Sequence, residues 1–491
     1  MLFNSIPFLI FFPIVVLLYF VIPQKYRWVW LLISSYYFYM SWNAVYGLLL
    51  FFSTLITWIS GRLSKHYENN EKMKKRVLVL TIVVNLGLLG YFKYFSFMLN
   101  TVNSLLSRIN SGLSVPVPDI LLPVGISFFT FQALGYAIDV YRGKVESEKN
   151  FFRYALFVSF FPQLVAGPIE RSESLLKQMK TPTRFSYDNL RSGFLMMLGG
   201  YFLKLVMADN LAVVVDAVYG DIHRYPGGYL ALATVMFAFQ IYGDFGGYSL
   251  IARGAARIMG FELMDNFESP YMSRSVGEFW RRWHASLGKW FRDYLYIPLG
   301  GSRKGTLRKY INVMIVFLLS GLWHGAAWHF VVWGGLNGLF QVIESAAKPG
   351  AEKLASRFKI RTGTDSFQIL KGFFTFAAVD FAWLFFRADS LRGALDIIKS
   401  MVSYSNYWII FTPEILKTGP DEKQFAVMLL AVFAVLVADY RKIKGFDICK
   451  WVMNQQFWFR TLVYITLLCA ILLFGAWGGG YSAAGFIYFR F

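Results

Sequence analysis

Cysteine is almost missing from this sequence. There are two in 491 residues, Cys449 in a basic loop and Cys469 in the last long apolar run. That placement suggests no disulfide framework, and no metal-type cysteine spacing exists, so redox and structural-zinc readings are excluded. Several catalytic signatures are also absent. There is no G-x-S-x-G elbow, no phosphate-binding loop and no H-E-x-x-H pair, and no Ser-His-Asp set can be assembled from motifs. Acidic residues are few beside basic ones, 29 against 49, which leaves a formal charge of +20. Nucleic acid is the obvious partner for such an excess, but the composition redirects it. Polar residues are too scarce to cover a soluble core, with 56% hydrophobic and 19% aromatic residues. In a membrane protein, Lys and Arg gather in cytoplasmic loops and meet anionic lipid headgroups.

What is present in quantity is long apolar runs. Pro7–Ile22, Val77–Leu99 and Phe457–Trp477 approach or exceed the roughly 20 residues that cross a bilayer. The chain reads as an all-α polytopic membrane protein. Its first run has no basic residue before the apolar core; Lys25 and Arg27 follow it, and no small-residue cleavage site is evident. It is expected to be a retained span with its N-terminus outside, rather than a signal peptide.

Charge orders the loops. "GRLSKHYENNEKMKKR" (61–76), "YRGKVESEK" and the basic stretches 271–309, 348–371 and 439–450 are expected inside. The nearly uncharged 103–119 and the link 220–228 are expected outside. Residues 169–184 carry charges at helical spacing after Gly167-Pro168 and read as an interfacial helix. Counting this way gives about 11–13 membrane segments. No internal repeat, low-complexity tract or soluble domain stands out, so residues 1–491 read as a single membrane-embedded domain.

One run is too long for its place. Residues 311–343 are flanked by Arg308 and Lys309 on one side and Lys348 and Lys353 on the other, so both ends should face the same side. As one helix it would be about 50 Å long, against a hydrocarbon core of about 30 Å. It is expected to bend back within the membrane, using Gly321, Gly325, Gly334, Gly335 and Gly338 to turn or pack closely. His324 would then lie deep in the protein at the break.

Ionisable groups at that depth mark sites or pathways. Of the five histidines, His66 and His223 sit in loops and read as surface residues. His324, between Trp323 and Gly325, is either a core histidine bonded to a carbonyl or a catalytic one. His329, five residues on, would point about 140° away on a continuous helix and reads as a packing residue. The segment 275–301 divides on a helical wheel, with Phe279, Trp283, Leu287, Trp290 and Tyr294 on one face and Arg281, Arg282, Lys289, Arg292 and Asp293 on the other. His284 falls toward the edge of the apolar face, near Trp280 and Phe291. The basic face suits lipid phosphate or an anionic cofactor. Gln240, Asp244 and Arg253 interrupt an apolar run and read as a buried structural network, as does Asp380. Histidine acting as base or acid in a dry cavity is the chemistry left, and its unperturbed pKa of about 6.5 suits that work.

Several segments together resemble the membrane-bound O-acyltransferase family, in its bacterial polysaccharide O-acetylation branch. They are "LPVGISFFTFQALGYAIDVYRG" (122–143), "FVSFFPQLVAGPIER" (157–171), "YGDFGGYSLIARGAARIMGFEL" (242–263), "FWRRWHASLGKWFRDYLYIPLGGSRKG" (279–305), "GLWHGAAWHFVVWGGLNG" (321–338) and "FFRADS" (385–390). They occur in order and cover most of the chain. The resemblance implies a ring of membrane helices around a central tunnel, with re-entrant and interfacial helices. It places the family's catalytic histidine on His324 and a second tunnel histidine on His284. It implies acetyl transfer from a cytoplasmic thioester, acetyl-CoA, with no metal, to an outer-face serine or sugar hydroxyl for extracellular polysaccharide acetylation. Arg281, Arg282, Lys289, Arg292 and Trp323 would bind the donor. The implied setting is the bacterial cytoplasmic (inner) membrane, with lipid as surroundings and no nucleic acid. The implied partner is a secreted or membrane-tethered acetyltransferase with a nucleophilic serine. Residues 388–424, with the amphipathic "SLRGALDIIKSMV" and the aromatic "YSNYWIIF", read either as the outer surface on which it docks or as a segment lying on the lipid interface. D-alanyl transfer onto teichoic acid is the alternative within the family. A transporter or channel for acyl groups or polymer is the alternative outside it, disfavoured by the lack of internal repeats.

Overall fold

The computed structural model describes residues 1–109, 112–404, 406–476 and 486–487. Trp477 and residues 110, 111 and 405, which fall in stretches singled out above, lie outside the described residues. Among the described residues all regular structure is helical; the nearest thing to a strand is one bridge pair, Phe267 with Trp283. Among the described residues six helical stretches are long and apolar enough to cross a membrane: Ala44–His66, Glu71–Arg108, Tyr187–Gly220, Gly228–Ile258, Asp365–Arg387 and Phe457–Phe474. The first apolar run forms a shorter helix, Ile6–Val21. The chain is a multi-pass, all-α membrane protein.

Several helices begin where the sequence offers a capping side chain. Asn43, Asn70, Asn150, Ser275, Thr364, Ser390 and Asp421 each accept from a backbone N–H in the first turn of the helix they precede. Each cap satisfies a donor that the helix itself cannot, typically contributing about 1 kcal/mol.

Two compact units divide the chain: Met1–Phe194 with Ala252–Met264, and Leu195–Ile251 with Asp265–Phe491. In the first, polar side chains are paired inside an apolar bundle. Ser53 Oγ donates to Asn85 Oδ1 at 2.7 Å and Tyr154 OH to Thr57 Oγ1 at 2.8 Å. Gly61 lies so close to Tyr136 that a Cβ there would sit 2.7 Å from its hydroxyl. The buried Glu148 carboxylate is met by Lys180 Nζ at 2.6 Å. The segment expected as an interfacial helix over 169–184 is helical only from Ser172 to Lys180, beginning as a π-helical turn.

In the second unit the over-long apolar run does bend. Helix Thr306–His324 ends, residues 325–327 are extended or turning, and helix Trp328–Arg357 returns along it. The glycines make this close return possible. A Cβ on Gly321 would run into the Phe330 carbonyl oxygen, and one on Gly334 into that of Phe317. No side chain fits at either place. The same unit holds a buried polar network that includes Asp244, one of the three residues expected to form one: Lys204 Nζ lies 2.7 Å from Asp209 and 2.6 Å from Asp244, whose second oxygen accepts from Ile487 N at 2.7 Å.

The segment 275–301 departs from its expected form. It is not one amphipathic helix. Val276–Arg282 ends, Trp283 is extended, His284 is left-handed, and helix Ala285–Phe291 begins anew, followed by a π-helical turn Arg292–Tyr296. The helical wheel missed this because long-range backbone bonds cause the break. Glu268 N donates to Arg282 O at 3.0 Å and Ala285 N to Asn266 O at 3.0 Å. These bonds hold the chain against residues 266–268.

Candidate active site

The break at residue 284 aims one imidazole inward. His284 has φ 45° and ψ 51°, a conformation costing a non-glycine residue on the order of 1 kcal/mol. Asn266 holds it there: its carbonyl accepts from Ala285 N, its Oδ1 accepts from Ser286 N at 3.3 Å, and its Nδ2 donates to Ser249 Oγ at 3.3 Å. The His284 ring is buried, 4.7 Å from Phe245 and 5.8 Å from Trp323, centroid to centroid. Burial pushes the imidazole down to about 3, so it is neutral near pH 7.

The break at residues 325–327 presents a second imidazole. His324 is the last helical residue before the turn and is 4% exposed. Its ring lies 5.0 Å from Trp323, 5.0 Å from Trp333 and 5.5 Å from Phe386. The two imidazoles meet at 6.4 Å. Around them Trp280, Trp333 and Trp383 pack edge to face or stacked, and Trp280 Nε1 donates to Asn337 Oδ1 at 3.1 Å. The two imidazoles sit in a largely apolar cage shielded from bulk water, a setting in which a histidine can serve as base or acid.

The other expected site residues are distributed differently. Trp323 is buried beside both histidines. Arg281, Lys289 and Arg292 are exposed, while Arg282 is half-buried. Arg282 is drawn to Glu278 at 2.8 Å and Arg292 to Asp293 at 2.8 Å, so half of the basic face already has carboxylate partners. Among the described residues no group of three or more His, Cys, Asp and Glu side chains is placed to hold a metal ion.

Sequence reasoning missed a neighbouring cavity of about 420 Å³. Its walls include Gly325 to Ala327, His329, Gln240, Asp216 and Arg387. Arg387 pairs with Asp216 at 2.7 Å. His329, expected to pack, sits on a different helix from His324 and lines this space. Gln240, expected in the structural network, lines it too. Arg387 fell within the quoted "FFRADS", but Asp216 carried no signal beyond one charge in an apolar run.

The chain compares with known proteins as follows. Residues 145–379 match the model of MBOAT, the membrane-bound O-acyltransferase family. A probable alginate O-acetylase AlgI of Pseudomonas putida is 38% identical over 408 residues, covering 83% of this chain and 81% of that one. The chain belongs to the membrane-bound O-acyltransferase family. It is an O-acyltransferase. A peptidoglycan O-acetyltransferase of Helicobacter pylori is 34% identical over 434 residues, 82% of this chain and 80% of its own. A teichoic acid D-alanyltransferase of Bacillus subtilis is 29% identical over 245 residues, 47% of this chain and 62% of its own. The buried pair of imidazoles is a feature of this chain with acid–base chemistry to offer.

Proposed function

We propose that this O-acyltransferase moves an acetyl group from cytoplasmic acetyl-CoA, through a tunnel in the bacterial cytoplasmic membrane, to a hydroxyl at the outer face, for acetylation of an extracellular polysaccharide. The observation that carries this reading is the meeting of His284 and His324 at 6.4 Å in a buried aromatic cage. The relatives named for O-acetylation support acetyl as the group moved, since they align over most of the chain.

In this reading His324 takes the proton of the acceptor hydroxyl as its oxygen attacks the thioester carbonyl carbon. The tetrahedral oxyanion collapses, the C–S bond breaks, and the thiolate leaves and takes up that proton as a thiol. His284 orients the donor or stabilises the oxyanion by donating its ring N–H. Trp323 packs against the acyl end. Arg281 and Lys289 meet the donor's phosphates, joined by Arg282 and Arg292 when these exchange their carboxylate partners.

The immediate acceptor is a serine hydroxyl of a secreted or membrane-tethered acetyltransferase docked on residues 388–424. There the helix Leu391–Ser403 buries Ala394 and Ile397 and leaves Leu395 and Val402 exposed, with Trp408 and Phe411 exposed beyond it. The test is incubation of purified protein with radiolabelled acetyl-CoA, with and without candidate acceptors. Label appearing on an acceptor hydroxyl is the expected result. No transfer of acetyl to any acceptor, with transfer of D-alanyl instead, would overturn it.

A further inference from the structure

The cavity beside His324 has the features of a binding site, and nothing above assigns it one. Its volume of about 420 Å³ falls in the range of small-molecule sites. Gly325, the residue that follows His324, lines it, and its wall residue Phe330 packs on Phe386, which in turn packs on His324. Phe237 and Phe330 give it apolar walls, and the Arg387 in its wall pairs with Asp216 at 2.7 Å and with Asp389 at 3.6 Å, so its lining holds one acidic charge more than basic and does not favour an anion.

Two polar groups in its wall ask for a hydrogen-bond donor. His329 Nδ1 lies 3.0 Å from the carbonyl oxygen of Phe385. A carbonyl only accepts, so Nδ1 carries the proton and Nε2 carries a lone pair. The residue is 7% exposed and lines the cavity, so that lone pair can accept from whatever the cavity holds, water included. Gln240 is 5% exposed, and its side-chain oxygen is buried with no hydrogen-bond partner among the described residues. An unpaired buried carbonyl oxygen is costly and calls for an explanation such as a ligand.

We propose that this cavity seats the acceptor of the acyl group and that His329 and Gln240 are its positioning residues. The ligand class is a neutral hydroxyl carrier with a second O–H or N–H donor beside the reacting hydroxyl. One hydroxyl faces His324, and the neighbouring donors go to His329 Nε2 and Gln240 Oε1. A serine residue supplies this with its own backbone N–H, and a sugar supplies it with an adjacent hydroxyl. The proposal rests on the acetyl-transfer reading for the reacting hydroxyl, but the seat itself can be tested without turnover.

The variants are His329→Asn, His329→Gln and Gln240→Met. Asn retains a donor for the Phe385 carbonyl and loses the Nε2 acceptor; Gln restores an acceptor at that reach. Two acceptors are used in parallel, N-acetylserine amide and a methyl hexoside. For whichever is acetylated, His329→Asn and Gln240→Met should each raise the acceptor KM about tenfold, leave the donor KM within twofold, and be partly matched by His329→Gln. Gln240→Met should also hold or raise the thermal midpoint, since it removes an unpaired oxygen. Equilibrium binding of the same two probes without donor should weaken about tenfold in His329→Asn. Wild-type binding that is unmeasurable, or equal binding and equal acceptor KM in these variants, overturns the proposal. Binding that weakens as expected while no acyl transfer is detected counts against the transfer reading and supports the seat.

Discussion

The imidazoles of His284 and His324 face each other across 6.4 Å, each presented by an interruption in a helix rather than by a helix face. One interruption is a left-handed residue held by Asn266; the other is a turn between two helices packed glycine against glycine. Function in this reading depends on both breaks being kept.

Replacing His324 by Ala is expected to lower acetyl transfer about 10³-fold, the usual weight of a positioned base. The protein should insert and purify normally. Turnover within tenfold of wild type would remove His324 from the mechanism.

His284→Asn tests the second imidazole without disturbing the backbone, because Asn tolerates the left-handed region. Transfer should fall about 100-fold with folding kept. The pH dependence follows from burial. The folded pKa is lowered to about 3, so below the ordinary histidine value the unfolded chain binds a proton that the folded one refuses. This contribution is therefore lost as pH falls from about 7 toward 3, by about 1 kcal/mol at pH 5.5. Thermal midpoints in detergent at pH 7.5 and 5.5 should separate more in wild type than in His284→Asn. An equal separation in both would show that His284 does not titrate this way.

Changing Arg281, Arg282, Lys289 and Arg292 together to Gln should raise the donor KM about tenfold with a smaller change in kcat. The difference from wild type should shrink in high salt, as screening weakens the attraction. An unchanged donor KM would assign this face to lipid phosphate.

The hairpin predicts a contrast between two glycines of one helix. Gly334→Ala places a methyl group against the Phe317 carbonyl and should cost about 2 kcal/mol, displace His324 and lower transfer. Gly350→Ala meets nothing within 4 Å and should be neutral or slightly stabilising. Equal thermal midpoints for the two variants would mean that the close return does not hold the turn in place.

Local pattern determined a good deal of this. Apolar run length against bilayer thickness was enough for a polytopic helical protein, and the misfit of residues 311–343 was enough to place a bend near His324. Both follow from one-dimensional quantities, hydropathy and charge, that any segment carries by itself. The tertiary structure alone decided the rest. The break at His284 comes from backbone bonds to residues 266–268, which no periodicity within 275–301 encodes. The cavity depends on Asp216, Gln240, His329 and Arg387 coming together from four separate helices. Asp216, Gln240 and His329 were polar residues in apolar runs, and such a residue looks the same in sequence whether it pairs in the core or faces a ligand. Only the packing of distant helices tells the two apart.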